Sequence, residues 1–438
     1  MKRFLYILFG LLFLIQFAHA QTEVSFNNID SLFNYAVNHS ISIKTGEQQV
    51  LLAKWQKISA KAGILNFKLQ TSFSLIENSQ LPVTYLPAEA FGGEPGTFKE
   101  VTTGQQYMGN LNIAPQIDII NPASWARLKS ANINSKLTDV NNLIVKKMIL
   151  ESISASYFNI ISFNEQIEIT QQNLLTADTL QMILQYKYTE GIVRQQDLND
   201  AIINRITLAD KLEQLKIGIN QQYYGLKILC DIPETDQVVI TKKLNYNQQF
   251  SLGLQASNQL QHKSALLKVE QSKADLDANR LSQYPTVSLF AYDAWQQNSK
   301  NMFFDNTVKW RHSQYFGLRI SLPFPDINRF TLSKSSDINK TIALQNAEHT
   351  KLQENITNAQ MNLDYEKAFS QFRTTKQIYL LKEENYRMAL NQFNASILSS
   401  DRLLAAFNDM LVSRLNYSSS LANLLYTESK IKINNSIK

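Results

Sequence analysis

"YTEGIVRQQDL" (residues 188–198) interrupts a long run that otherwise carries a helical pattern. Gly191 stops the pattern, and six residues later Asp197 stands where it resumes. About two hundred residues downstream, "FNASILSSDRLL" (393–404) does nearly the same, with Ala395 at the break and Asp401 at the restart. Glycine takes the left-handed backbone that ends a helix. An acid in the first turn of the next helix is favoured by the helix dipole. The two stretches therefore predict two helical hairpin tips, built alike in one chain.

The flanking segments can carry such hairpins. The nine prolines fall at 82, 87, 95, 115, 122, 233, 285, 323 and 325, leaving 123–232 and everything after 325 free of them. Proline inside a helix removes a hydrogen bond and clashes with the preceding turn, so both blocks can be long helices. Leu150, Ile153, Tyr157, Ile160, Ile167 and Leu174 follow three-and-four spacing, and Phe372, Tyr379, Tyr386 and Phe393 recur every seventh residue. Both stripes predict coiled-coil-like packing seams. The predicted helices are 29–65, 123–190, 196–230, 254–282, 327–393 and 398–433; the longest would each span roughly 100 Å.

Four strands are predicted between them, at 66–75, 107–119, 285–295 and 315–324. In the last, Phe316, Leu318, Ile320, Leu322 and Phe324 alternate with Arg319 and Ser321. Period-two alternation marks a half-buried strand, and about ten residues is the length a membrane-spanning strand needs. Long polar loops, 77–105 and 297–313, separate the members of each pair.

The chain opens with Lys2 and Arg3, an apolar run from Phe4 to Phe17, and the small-x-small sequence Ala18-His19-Ala20. This pattern predicts a secretory signal peptide over 1–20. Loss of Lys2 and Arg3 would lower the formal net charge from +6 to +4, too mild for a nucleic-acid binder. Charged residues make up 18% of the chain, below the roughly 25% usual in globular domains. Cys230 is the only cysteine, so no disulfide can form within the chain. No phosphate-binding glycine loop, nucleophile elbow or metal-ligand spacing occurs, and His39, His262, His312 and His349 are scattered. The reading therefore includes no catalytic residue, metal or cofactor.

The order helix, strand, loop, strand, long helix, break, helix occurs twice, with an offset of roughly 205 to 221 residues. "ARLKSANIN" (126–134) parallels "LSKSSDIN" (332–339). The predicted organisation is a first structural repeat at 21–230, a linker at 231–252 and a second repeat at 253–438. Each half opens on Ala-x-Asn (Ala36 and Asn38; Ala256 and Asn258); the second half keeps Pro285, and the first has Ile64-Leu65 in its place. The first tip carries the aromatic-x-x-Gly-x-x-x-x-x-Asp-Leu turn as Tyr188, Gly191, Asp197 and Leu198. Over essentially all of the mature chain this plan resembles the TolC family of outer-membrane efflux proteins.

Four strands cannot close a barrel, because the smallest membrane barrels use about eight. An open sheet in lipid would leave its edge groups unbonded. The resemblance implies a homotrimer with a twelve-stranded transmembrane barrel continuous with an α-helical coiled-coil barrel. It also implies an exit duct in the outer membrane with a helical tunnel in the periplasm. Such a duct works passively in a tripartite efflux or type I secretion system, with a periplasmic adaptor protein and an inner-membrane pump. Gly191, Arg194, Gln195, Asp197, Ser400 and Asp401 would then lie at the periplasmic entrance or adaptor contact. Leu318, Ile320 and Leu322 would face outer-membrane lipid, with Arg319 and Ser321 on the lumen side. The competing readings are a secreted coiled-coil adhesin and a periplasmic enzyme on a helical scaffold.

Overall fold

The computed structural model describes residues 23–245, 255–323 and 327–437; the expected signal peptide lies outside them. In chain order the elements are β1 (Glu23–Phe26), α1 (Ile29–His39), α2 (Ile41–Ala62), β2 (Lys68–Glu77), β3 (Val83–Pro87), β4 (Phe98–Thr102), β5 (Tyr107–Ile120) and α3 (Pro122–Thr189). There follow α4 (Gln195–Cys230), β6 (Gln237–Ile240), α5 (Leu260–Leu281), β7 (Thr286–Ser299), β8 (Arg311–Ser321), α6 (Ile327–Asn394) and α7 (Ser400–Ser436). The chain forms two compact units. A helical unit takes the N-terminal part to Val50, Asp139–Ser264 and Glu348–Lys438; a sheet unit takes Leu51–Thr138 and Ala265–Ala347.

The helix boundaries follow from local chemistry. Pro122 occupies the first position of α3, where its missing N–H is no loss. The Asn121 side chain accepts the Ser124 N–H at 3.3 Å. The single helix predicted over 29–65 is split at Ser40, and the first N–H of α2, from Ile41, is taken by the Asp231 carboxylate at 2.7 Å. The start of α5 is held by Asn258, which accepts the Leu260 N–H at 2.7 Å. The buried Glu354 carboxylate accepts the N–H groups of Gln261 and His262 at 3.0 and 2.8 Å. A carboxylate there meets the positive end of the helix dipole.

The helical unit packs along the predicted seams. Ile153, Tyr157 and Ile160 of α3 are fully buried with Leu421 and Leu424 of α7, and Leu150 is buried as well. Phe372 and Tyr379 of α6 both stack on Tyr417, at 5.6 and 5.7 Å between ring centres. Cys230 is wholly buried in this core, and burial pushes its thiol up to about 12. Two short strands close the core: β1 and β6 pair in parallel, Glu23 to Gln237 through Phe26 to Ile240. No strand is predicted from the sequence at either place, since four residues are too few to establish a period.

In the sheet unit the order is β2-β5-β7-β8, every neighbour antiparallel. β2 and β8 are its open edges. The register places Phe73 beside Leu111, Leu111 beside Trp295, Leu289 beside Leu318 and Val287 beside Ile320. One face therefore collects the apolar residues. The other collects Lys68, Gln70, Asn110, Asn112, Gln116, Tyr292, Tyr315 and Arg319. The fourth predicted strand is shifted toward the N-terminus. It begins at Arg311 and ends at Ser321, so Leu322 lies outside the ladder, 69% exposed. Pro323 is the reason: the residue before a proline is restricted, and proline has no N–H to give a ladder. Phe324 lies outside the described residues. The first predicted loop, 77–105, contains a hairpin of β3 and β4, Val83 to Thr102 through Pro87 to Phe98.

Among the described residues, no helix is long and apolar enough to cross a membrane. Phe407 is fully buried against Tyr386, 5.5 Å between ring centres. Replacing Phe407 by alanine is expected to cost about 3–5 kcal/mol, read as a lower midpoint of chemical denaturation followed by circular dichroism. A shift worth under about 1 kcal/mol would contradict the burial of this ring.

Candidate functional site

The first tip, 190–194, is a Schellman turn. Ile192 N–H reaches back to the Lys187 carbonyl at 2.8 Å, and Gly191 N–H to that of Tyr188 at 2.9 Å. Gly191 has φ +73° with nothing within 4 Å of where a Cβ would stand, so backbone freedom and not space calls for glycine there. α4 then starts with Arg194 as N-cap. Asp197, on the third helical position, reaches back to accept the Arg194 backbone N–H at 3.0 Å. It also takes two bonds from the Arg194 guanidinium, at 3.3 and 3.2 Å. Asp197 is 7% exposed. Gln195 bonds Asn199 within its own helix at 2.9 Å.

The second tip makes the same turn one residue out of the predicted register. Ile397 N–H bonds the Gln392 carbonyl at 2.9 Å, and Ser396 N–H that of Phe393 at 3.0 Å. Ser396 holds φ +58°. The counterpart of Gly191 is therefore Ser396, not Ala395. Ser399 is the N-cap of α7, Ser400 and Asp401 are its first two residues, and Arg402 stands where α4 has Asp197. The two acids are thus not equivalent. Asp197 occupies the third helical position, Asp401 the second. Aligning the tips on the buried Leu198 and Leu403 would have placed Ser396 correctly from sequence; the acids mislead because both positions favour a negative charge.

The two tips pack together. Leu198, Ala201, Phe393, Leu403, Leu404 and Phe407 share one core, and the Lys187 ammonium sits 4.1 Å over the Phe393 ring. Ser400 is buried. Hydrogen bonds from Arg194 hold the Asp197 carboxyl below the usual carboxylate range. Asp401 is also lowered, chiefly by the Ser399 hydroxyl, while Asp197 opposes this through mutual repulsion. The field of Asp401 reaches Arg194 as well. Arg194, Asp197 and Asp401 therefore form one electrostatic group. The sequence did not single out Ile192 and Ile397, which occupy the same place in the two turns and are 67% and 78% exposed.

In the sheet unit, the Arg319 guanidinium lies 4.5 Å over the Phe290 ring and donates to Gln116 Oε1 at 3.4 Å. Leu318 and Ile320 stand on the opposite face, both open to solvent. The loop after β7 is tied down by Asp305. Its buried carboxylate accepts from Ser299 Oγ and Thr307 Oγ1 at 2.6 Å each and from Thr307 N at 2.8 Å. These bonds hold it at about 2. From this loop Phe303 packs edge-on against Tyr107, and Phe304 stacks on Phe73.

Solved structures share this arrangement of sheet and long helices as a fold. The outer membrane protein VceC of Vibrio cholerae matches 93% of this chain and 94% of its own at TM-score 0.73 and 17% identity. The outer-membrane channel OprN matches 94% and 90% at 0.75 and 13%. The open-state outer membrane channel MtrE of Neisseria gonorrhoeae matches 92% and 88% at 0.68 and 14%. The fold is that of the outer-membrane channels. No family model and no curated protein sequence matches the chain. The likeness to these channels is therefore one of structure.

The lowered Asp197 has a consequence for stability. A carboxyl held below its unfolded value, about 3.9, stabilises the folded state above that value; the effect is lost as pH falls through the folded pKa. Asp197→Asn is expected to cost about 1 kcal/mol at neutral pH. Thermal unfolding at a series of pH values should show the gap between wild type and variant closing below about pH 4. A gap independent of pH down to the acid limit would remove the charge from the account.

Proposed function

We propose that this protein is the outer-membrane exit duct of a tripartite efflux or type I secretion system. It works as a homotrimer and conducts passively, with energy from an inner-membrane pump reached through a periplasmic adaptor. The observation that carries the reading is the sheet, with ten- and eleven-residue edge strands left open and one face apolar. Three copies give twelve strands. β2 and β8 run antiparallel to each other, so β8 of one copy can pair with β2 of the next and close a barrel without a parallel seam. Closure satisfies every edge group, which lipid requires.

The exposed surface supports assembly. In the helical unit's part of α6, Leu352, Ile356 and Leu363 share one face at coiled-coil spacing and stand open to solvent. A second copy is the natural cover for such a seam. The duplicated order of elements, 21–230 and 253–438 about the linker 231–252, belongs to the same proposal. In it, Gly191, Arg194, Gln195, Asp197, Ser400 and Asp401 line the periplasmic entrance, where the exposed Ile192 and Ile397 offer apolar contacts to an adaptor.

Expression in a Gram-negative host is expected to place the protein in the outer-membrane fraction as a heat-modifiable trimer that needs detergent. Recovery as a soluble monomer without detergent would overturn the proposal and favour a secreted rod. Within the barrel, a cation on the lipid face costs about 2–4 kcal/mol near the midplane. Ile320→Lys should therefore reduce trimer yield far more than Ser321→Lys on the adjoining position. Equal yields would exclude a lipid-facing role for Ile320.

A further inference from the structure

The polar face of the four-stranded sheet carries three cations, one on each edge strand's inner end and one at the far end of β8. The ladder places Lys68 opposite Gln116, Gln116 opposite Phe290 and Phe290 opposite Gly317. Arg319 lies two residues along β8 on the same face, and Arg311, opposite Gln296, shares it too. All three side chains are exposed.

The same face holds one carboxylate among the described residues, Asp118, and it is closed off. Asp118 is buried and accepts from Asn66 Nδ2 at 2.7 Å, Asn121 Nδ2 at 3.0 Å and Ser288 Oγ at 2.7 Å. The other acids of the sheet, Glu77 and Asp293, fall on the apolar face by register. There Asp293 pairs with His312. The three exposed cations of the polar face therefore have no exposed carboxylate beside them among the described residues.

Arg319 is also held in place. Its guanidinium lies over the Phe290 ring, and Tyr315 meets that ring edge-on at 6.2 Å while stacking on Tyr292 at 5.0 Å. A guanidinium kept against an aromatic wall stays on the face with its remaining donors free. Among the described residues Arg319 makes no ion pair, so no carboxylate neutralises it.

We propose that the barrel section of the duct selects for anions, with Lys68 and Arg319 forming its inner ring of charge and the cargo of this section being anionic. The proposal rests on the exit-duct reading, since the polar face must line a pore. In a trimer the ring is repeated three times around one axis. Fixed charges inside a low-dielectric wall focus their field into the water they enclose. Rings of lysine and arginine are how anion pores are built.

The test is the reversal potential of the purified trimer in planar bilayers under a KCl gradient at low salt, where screening is weak. Wild type is expected to pass chloride in preference to potassium. Lys68→Gln with Arg319→Gln should lower the chloride-to-potassium ratio several-fold, and Arg319→Lys, which keeps the charge, should leave it near wild type. If the double variant does not assemble, Lys68→Gln alone decides, because Lys68 makes no ion pair among the described residues. Conducting channels with the same ratio in wild type and variants would overturn the proposal while leaving the duct intact. Wild-type trimers that never conduct would overturn the duct itself, and this proposal with it.

Discussion

An antiparallel sheet is finished only when its outermost strands have partners. Here the outermost strands are β2 and β8, ten and eleven residues long, and each turns a row of backbone N–H and C=O groups away from the sheet. Such edges pair with whatever strand arrives. The alternation of Leu318 and Ile320 with Arg319 and Ser321 makes the demand stricter, because at this end of the sheet one face is apolar. Water can satisfy the edges but not that face; lipid can satisfy the face but not the edges. Closure between copies meets both conditions, and the even strand number with antiparallel order throughout allows it.

The helices obey a related rule. Isolated helices gain little from their own hydrogen bonds and depend on packing of an apolar stripe. In the helical unit the stripe is internal, with Tyr157, Phe372, Tyr417 and Leu421 meeting in one core. Each tip returns its chain through a Schellman turn and at once buries a leucine, Leu198 or Leu403. One turn uses glycine at the left-handed position. The other forces Ser396 into it, a conformation that is unfavourable for a residue with a Cβ.

Much of this was legible in advance, and the exceptions have physical causes. Long proline-free segments and heptad aromatics establish long helices, because helix period and helix breakers are strong local signals. The four long strands were visible for the same reason. The parallel pair β1 and β6 was not, since its partners lie more than two hundred residues apart and each is shorter than two periods. The end of β8 was misplaced because alternation continues through Leu322 while Pro323 stops the ladder. At the second tip, the position that needs positive φ is a serine, so side-chain identity gave no hint of backbone conformation. Asp197 and Asp401 looked equivalent because chemistry that favours acids at helix starts acts over several positions. Cross-strand arrangement, including the burial of Asp118 by Asn66 and Ser288, depends on register and could not be read from one strand at a time.

The buried state of Cys230 has a practical side. Thiol reagents attack the thiolate, and a sulfur that is fully enclosed and pushed up to about 12 supplies almost none at neutral pH. It is also the only cysteine in the chain. A cysteine introduced at Ile192, at Ser396 or on the exposed edge of β8 would be the single reactive thiol in the folded molecule. The natural chain is thus already a background for attaching one spectroscopic probe or one crosslinker per protomer. Its own sulfur can stay in the core it helps to fill.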